Sequence, residues 1–180
     1  MWYVVQVMSG RERLVKEIVE RAAAQRAEAL GMREGELLEE LFSPRYKTMA
    51  RENGAWVPDE QPLLPGYLIA VTNRPELLDS ALRRVPELTR ILGSDKAFTP
   101  LSDDETAWIS AFTQRGSRTV LMSEGFKEGG RVYVTSGPLV GREAMIVKVD
   151  RRKHVAYLQL EIMGRKKEVK VGFNLVRKAR

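Results

Sequence analysis

Few side chains of this 180-residue chain are suited to covalent or acid–base chemistry. The sequence has no cysteine and one histidine, His154, which excludes a thiol nucleophile, a thiolate metal site and most zinc-based or histidine-based catalysis. The carboxylate pairs Glu39-Glu40 and Asp103-Asp104 are accompanied by no histidine, cysteine or glycine-rich phosphate loop. We therefore expect a protein that is not an enzyme and that uses neither a cofactor nor a metal.

Positive charge is distributed unevenly along the chain. Residues 1–124 contain 16 Lys and Arg against 19 Asp and Glu, a net charge of −3, whereas residues 125–180 contain 14 against 5, a net charge of +9. A basic segment of this size is typical of a surface for RNA, DNA or an acidic protein, and the charge alone does not choose among them. Its candidate nucleic-acid contacts are Arg151, Arg152, Lys153, Arg165, Lys166 and Lys167.

A second group of candidate nucleic-acid contacts lies on a predicted hairpin. A strand over residues 41–51 leads to Asn53-Gly54, which is the strongest short hairpin signal. Because side chains alternate along a strand, Arg45, Lys47 and Arg51 share one face and could contact phosphates. Trp56 follows the turn, where an exposed ring could stack on a base. A solvated charged face explains the three cations equally well.

The elements that position these residues form two regions. Apolar runs at residues 2–8, 66–71 and 89–93 join the hairpin segment as strands, and helices start at Ser-x-x-Glu spacings typical of capping boxes, Ser9 to Glu12 and Ser102 to Glu105. The order β α β β α β α predicts an α+β domain with a four-stranded antiparallel sheet flanked by helices. Short strands and a Gly137-Pro138 turn predict a small β-barrel after residue 125. The expected boundaries are a first domain at 1–113, a linker at 114–124 and a barrel at 125–180.

Five segments, taken in order and spacing, resemble the NusG transcription factors, which combine an N-terminal NGN domain with a C-terminal KOW domain. These segments are Trp2-Tyr3-Val4-Val5-Gln6, Leu64-Pro65-Gly66-Tyr67, Val85-Pro86, residues 130–141 and Ile162-Met163-Gly164-Arg165. Within the family the chain is most similar to the LoaP group of specialised paralogues. That similarity is carried by Ser43-Pro44-Arg45-Tyr46-Lys47, Gly54-Ala55-Trp56 and residues 61–67. Leu64 stands where the family usually has phenylalanine.

The resemblance implies a factor that binds the clamp helices of RNA polymerase, resists pausing and promotes processive antitermination. The positions that match the family's polymerase contacts are Gln6, Leu63, Leu64, Pro65 and Tyr67. Similarity to the LoaP group further implies recognition of an RNA hairpin in a nascent leader transcript. Non-template DNA is a second candidate ligand, and a ribosomal or termination-factor partner is a candidate for the KOW domain.

Two other functions fit the same residues. One is a general NusG-type elongation or termination factor, and the other is a KOW RNA-binding protein that acts without polymerase. The sequence leaves open whether the NGN domain, the KOW domain or both bind RNA. With no apolar run near the roughly 20 residues of a membrane span and no signal peptide, we expect a cytoplasmic monomer without membrane contact.

Overall fold

The computed structural model describes residues 1–94 and 96–178. A 3-10 helix, Glu143–Met145, precedes the twelfth strand. The other elements are, in chain order, β1 (Trp2–Gln6), α1 (Glu12–Ala29), β2 (Glu40–Phe42), β3 (Arg45–Glu52), β4 (Ala55–Pro62), β5 (Tyr67–Val71), α2 (Pro75–Leu82), β6 (Arg90–Ile91), β7 (Gly93–Ser94), β8 (Ala97–Phe98), α3 (Asp103–Phe112), β9 (Thr119–Val120), β10 (Ser123–Glu128), β11 (Arg131–Ser136), β12 (Ile146–Asp150), β13 (Val155–Ile162) and β14 (Arg165–Leu175).

Residue contacts divide the chain into two compact units. The N-terminal unit comprises Met1–Ser43 and Leu64–Thr106, and the C-terminal unit comprises Pro44–Leu63 and Ala107–Arg180. The β3–β4 hairpin therefore packs with the C-terminal strands, although it lies within the segment expected to form the first domain. The expected domain boundaries at 113 and 125 stay a prediction.

The N-terminal unit is built on an antiparallel sheet with the strand order β2-β5-β1-β6. Its central strands are buried because they are almost wholly apolar: Val4 and Val5 in β1, and residues 68–70 in β5, are all 3 % exposed or less. Helix α1 buries Val15, Val19, Ala23 and Ala27, a spacing of four that gives one apolar stripe. These side chains, together with Val5 of β1 and Leu68 and Ala70 of β5, belong to one hydrophobic cluster.

The predicted strand over residues 41–51 is wrong as a single element. The structure breaks it at Ser43-Pro44 into β2 and β3, which belong to different sheets. Proline has no amide hydrogen to donate to a strand ladder, which explains the break. The sheet of the hairpin has the order β4-β3-β9, so the stretch 114–124 that we expected to be a linker contains a strand paired in parallel with β3.

The C-terminal unit also contains a five-stranded sheet with the order β11-β10-β14-β13-β12. The ring of Phe173 is fully buried and lies where a side chain at Gly125 would clash. The predicted Gly137-Pro138 turn reaches back to β10, since the amide of Leu139 donates to Ser123 Oγ at 3.0 Å and Leu139 is buried. The β-rich C-terminal fold is thereby confirmed. Among the residues described, no helix is long and apolar enough to cross a membrane.

Candidate functional site

The predicted polymerase contacts cluster at one end of the β1–β5 pair. Gln6 and Tyr67 are register partners, so their side chains lie on the same face of the sheet. Gln6 and Pro65 are exposed, and Tyr67 is half-buried. The amide of Tyr67 donates to the carbonyl of Leu64 at 3.1 Å, which closes a β-turn with Pro65 and Gly66 in its centre. Three of the five predicted contacts thus form a continuous edge.

Leu63 and Leu64 do not reach this edge. Each is only 2 % exposed. The amide of Leu63 donates to the carbonyl of Pro44 at 2.7 Å, which fixes the backbone before the turn. The two leucines are interior side chains, and direct contact with a partner stays a prediction for them.

Glu12 supports this turn, a role that its position in the sequence does not reveal. Its side chain is 5 % exposed, and Oε1 accepts a hydrogen bond from the amide of Gly66 at 2.8 Å. The carbonyl of Gly66 in turn accepts from the amide of Val7 at 2.8 Å. The predicted capping box from Ser9 to Glu12 is wrong, because Arg11 is the N-cap and no side chain caps α1. The glutamate instead holds the turn that contains Pro65 and Gly66.

The three cations of the hairpin have different surroundings. Arg45 Nε lies 3.0 Å from Glu60 Oε1, and its guanidinium also donates to the Glu60 carbonyl at 2.7 Å. Its charge is therefore partly neutralised, and its side chain is only 35 % exposed. Lys47 and Arg51 are exposed. The phosphate contact expected of all three is better supported for these two.

The opposite face of β3 packs on the five-stranded sheet. Thr48 Oγ1 donates to the carbonyl of His154 at 3.1 Å. Tyr46 is buried, and its burial, followed by the charges of Asp59 and Tyr157, raises its pKa above the ordinary value. A side chain at Gly172 would run into the carbonyl of Lys47, so the close approach of the hairpin needs glycine there.

This packing brings the hairpin tip beside a basic turn. Asn53 and Gly54 both have positive φ, as the Asn-Gly signal predicts. The ring of Trp56 lies 4.4 Å from that of His154 between centroids, and the two rings meet edge to face. Trp56 and His154 line a cleft together with Arg151 and Arg152. Residues separated by about a hundred positions in sequence thus form one candidate nucleic-acid surface.

The remaining predicted contacts lie elsewhere. Arg165, Lys166 and Lys167 begin β14, opposite the far end of β13 from the turn at 151–154. With about 3.3 Å per residue, the seven steps along β13 put the two clusters about 23 Å apart. Desolvation lowers the pKa of Lys167, which is half-buried, whereas Arg165 and Lys166 are exposed. The predicted residues therefore form two basic clusters.

In residues 1–94 and 96–178 no group of three or more acidic, His or Cys side chains could hold a metal.

Comparison with known proteins shows the family of this chain. The family model described as "Transcription termination factor nusG" matches residues 1–110, and a KOW motif matches residues 128–159. The chain belongs to the NusG family. Two relatives are named "Transcription termination/antitermination protein NusG". The protein of Rickettsia felis is 24 % identical, and the alignment covers 98 % of this chain and 89 % of that protein. The protein of Campylobacter jejuni is 26 % identical, and the alignment covers 98 % of this chain and 96 % of that protein.

A solved structure described as "Domain interaction in Thermotoga maritima NusG" is similar to this NusG-family chain, with a TM-score of 0.51 and 23 % sequence identity. The alignment covers 95 % of this chain and 92 % of the Thermotoga maritima chain. This likeness supports the fold. NusG-family proteins are non-enzymatic transcription factors that interact with RNA polymerase. The chain is thus a NusG-type termination/antitermination factor, with NGN and KOW domains as the sequence predicted.

Proposed function

We propose that the chain is a specialised NusG-family factor that binds the clamp helices of RNA polymerase, recognises an RNA hairpin in a nascent leader transcript and promotes processive antitermination. One observation carries this proposal: the hairpin tip with Trp56 and the basic turn with Arg151 and Arg152 lie together in a single compact unit. A factor that acted through polymerase contact alone would need no such surface. The net charge of +9 in residues 125–180 supports the same conclusion.

The polymerase-binding part of the proposal uses the edge formed by Gln6, Pro65 and Tyr67. A proline and a half-buried tyrosine give an apolar contact of low conformational freedom, and the neighbouring amide of Gln6 can form hydrogen bonds that fix orientation. Replacing Tyr67 by alanine should reduce co-purification with polymerase by at least tenfold. Tyr133→Ala is the matched control, because Tyr133 is a tyrosine exposed to 41 % on the other unit. Equal loss in both variants would contradict the assignment of the edge.

Transcription in vitro tests the specialised function. Templates carry a terminator downstream of a leader, with the leader hairpin intact or with one arm of its stem scrambled. Read-through that rises only with the intact hairpin is expected. Equal read-through on both templates would leave the general NusG role. Hairpin binding that persists when Tyr67→Ala has abolished polymerase association, with no effect on read-through, would favour an RNA-binding protein that acts without polymerase.

A further inference from the structure

The cleft between the hairpin tip and the basic turn has the composition of a nucleotide site. Its volume is about 630 Å³, within the usual range of small-molecule sites. One wall is Trp56, which is 41 % exposed and therefore presents part of its ring to solvent. Its cationic lining consists of Arg151, Arg152 and Arg177, and all three are exposed. An open aromatic surface and several guanidiniums lie within one concavity.

The walls of this cleft are fixed by hydrogen bonds to main-chain groups. Asp150 Oδ1 accepts from the amides of Arg152 at 2.9 Å and Lys153 at 3.1 Å, which defines the turn. His154 has a φ of 53°, and its carbonyl accepts from both Thr48 Oγ1 and the amide of Phe173, at 3.1 and 2.9 Å. Because the same carbonyl joins β3 to β14, the backbone of the hairpin is held against the turn that carries Arg151 and Arg152 before any ligand arrives. Such preorganisation reduces the entropy lost on binding.

The charges in the cleft are available to a ligand. In the part of the chain that the structure describes, none of the three arginines forms an ion pair with a carboxylate. Arg51 lies across the hairpin from Trp56, with its guanidinium carbon 5.7 Å from the centre of the indole ring. Arg51 is exposed and can move aside or cover a ring stacked on Trp56.

We propose that this cleft binds one unpaired nucleotide of a single-stranded nucleic acid, with its base stacked on Trp56 and its flanking phosphates on Arg151, Arg152 and Arg177. A paired base is excluded because its faces are covered by neighbouring base pairs, whereas an unstacked base in a loop or bulge offers a free face. Guanidiniums bind phosphate oxygens in a bidentate manner. The inference rests on the proposed function in taking nucleic acid as the ligand, and it specifies which part of that ligand enters the site.

The test compares octamers that differ only in their bases. The full chain is titrated with single-stranded octa-riboadenylate, octa-deoxyadenylate and an abasic octamer of equal charge, while fluorescence anisotropy gives the dissociation constant. Loss of base stacking should weaken binding roughly 5- to 150-fold, so the abasic octamer should bind more weakly by a factor in that range. The two adenylate arms distinguish RNA from DNA, because tighter binding of the riboadenylate indicates contact with the 2′-hydroxyl.

Variants of Trp56 test whether the difference in affinity between the adenylate and abasic octamers arises in the cleft. Trp56→Ala should bind both kinds of octamer equally weakly, and Trp56→Phe, which keeps an aromatic face, should stay within about threefold of the unchanged chain. Arg151→Ala combined with Arg152→Ala should reduce affinity for the adenylates and the abasic octamer alike. Lys127→Ala combined with Arg131→Ala removes the same charge outside the cleft and is the matched control.

Equal binding of the adenylate and abasic octamers by the unchanged chain would overturn the proposal, and this comparison needs no variant to fold. Undiminished discrimination by Trp56→Ala would overturn it as well. If the ligand is an acidic peptide, the unchanged chain should bind the adenylate and abasic octamers with equal affinity, and the arginine variants should bind both more weakly. The proposed function fails separately: read-through independent of the leader hairpin, alongside intact base discrimination in the octamer assay, would refute that function and leave the nucleotide site standing.

Discussion

Glu12 joins the first turn of α1 to the turn that presents Pro65 and Tyr67, so its replacement should weaken both the fold and polymerase binding. Its carboxylate is buried and accepts the amide hydrogen of Gly66 at 2.8 Å. A hydrogen bond to a charged group contributes about 1.5–3 kcal/mol to stability, and a buried donor left without its acceptor costs about 1–3 kcal/mol. These two ranges describe overlapping parts of one loss. We therefore expect Glu12→Ala to lower the free energy of unfolding by about 2–3 kcal/mol.

The conservative variant separates the hydrogen bond from the charge. Glu12→Gln keeps a carbonyl oxygen that can accept from Gly66, so it should lose only the charge-assisted part, about 1 kcal/mol. Glu17→Ala is the matched control on the same helix. Glu17 is 62 % exposed and lies 3.9 Å from Arg13 in an i,i+4 pair, so its loss should cost less than about 0.5 kcal/mol.

Urea unfolding measures these differences. In a background with Trp56 and Trp108 replaced by phenylalanine, fluorescence reports on Trp2, which packs on Phe42 in the sheet of the N-terminal unit with ring centroids 5.3 Å apart. Polymerase co-purification is measured on the same variants and should fall in the order Glu17→Ala, Glu12→Gln, Glu12→Ala. A Glu12→Ala variant as stable as Glu17→Ala would refute the structural role. Normal stability with lost polymerase binding would mean that Glu12 contacts the partner itself.

Three further predictions concern the C-terminal unit. Gly172→Ala places a methyl group against the Lys47 carbonyl and should lower the free energy of unfolding by about 1–3 kcal/mol. The loosened hairpin should be cleaved faster by trypsin after Arg51, and an unchanged cleavage rate would contradict this close approach. Burial raises the pKa of Tyr46 above 10.0, so the unfolded chain loses the proton first and stability should fall as pH rises above about 10. Tyr46→Phe should make that fall shallower in urea unfolding between about pH 9 and 11, and equal slopes would count against it. Because Arg45 pairs with Glu60, Arg45→Ala should lower the free energy of unfolding by less than about 1 kcal/mol and change RNA affinity in filter binding by less than about twofold. A tenfold loss of RNA affinity would instead indicate that Arg45 contacts phosphate.

Local signals were reliable where neighbours in sequence decide the structure. The Asn53-Gly54 turn takes the positive φ values that its residues favour, and the box at Ser102 is reciprocal, with Ser102 Oγ and Glu105 Oε2 each accepting an amide hydrogen. The Ser9 box fails because Gly10 has a φ of 88° and Arg11 becomes the N-cap. Glu12 accepts a hydrogen bond from the amide of Gly66 instead, and no spacing rule detects a partner 54 positions away.

The place of the hairpin shows why the candidate site was only partly predictable. The alternation of residues 45–51 correctly separates an exposed face with Lys47 and Arg51 from a buried face with Tyr46 and Thr48. It does not say which sheet the buried face covers. That choice depends on Gly172, on the carbonyl of His154 and on pairing with β9, all more than 60 residues further along the chain. Sequence could nominate Trp56 and Arg151 separately, but only their packing makes them one surface.

The same packing changes the meaning of the net charge. As a sum, +9 suggests one large field over residues 125–180. In the structure, Lys148 and Lys170 lie 4.3 and 5.6 Å from the centre of the Tyr157 ring, and the basic ends of β13 are about 23 Å apart. At physiological ionic strength the screening length is about 8 Å, so the two ends act on different parts of a ligand. Of these two ends, as far as the described residues show, the one beside Trp56 combines cations with an exposed aromatic ring. Base recognition is therefore assigned to that end, and the far cluster can add only phosphate contacts of a longer strand.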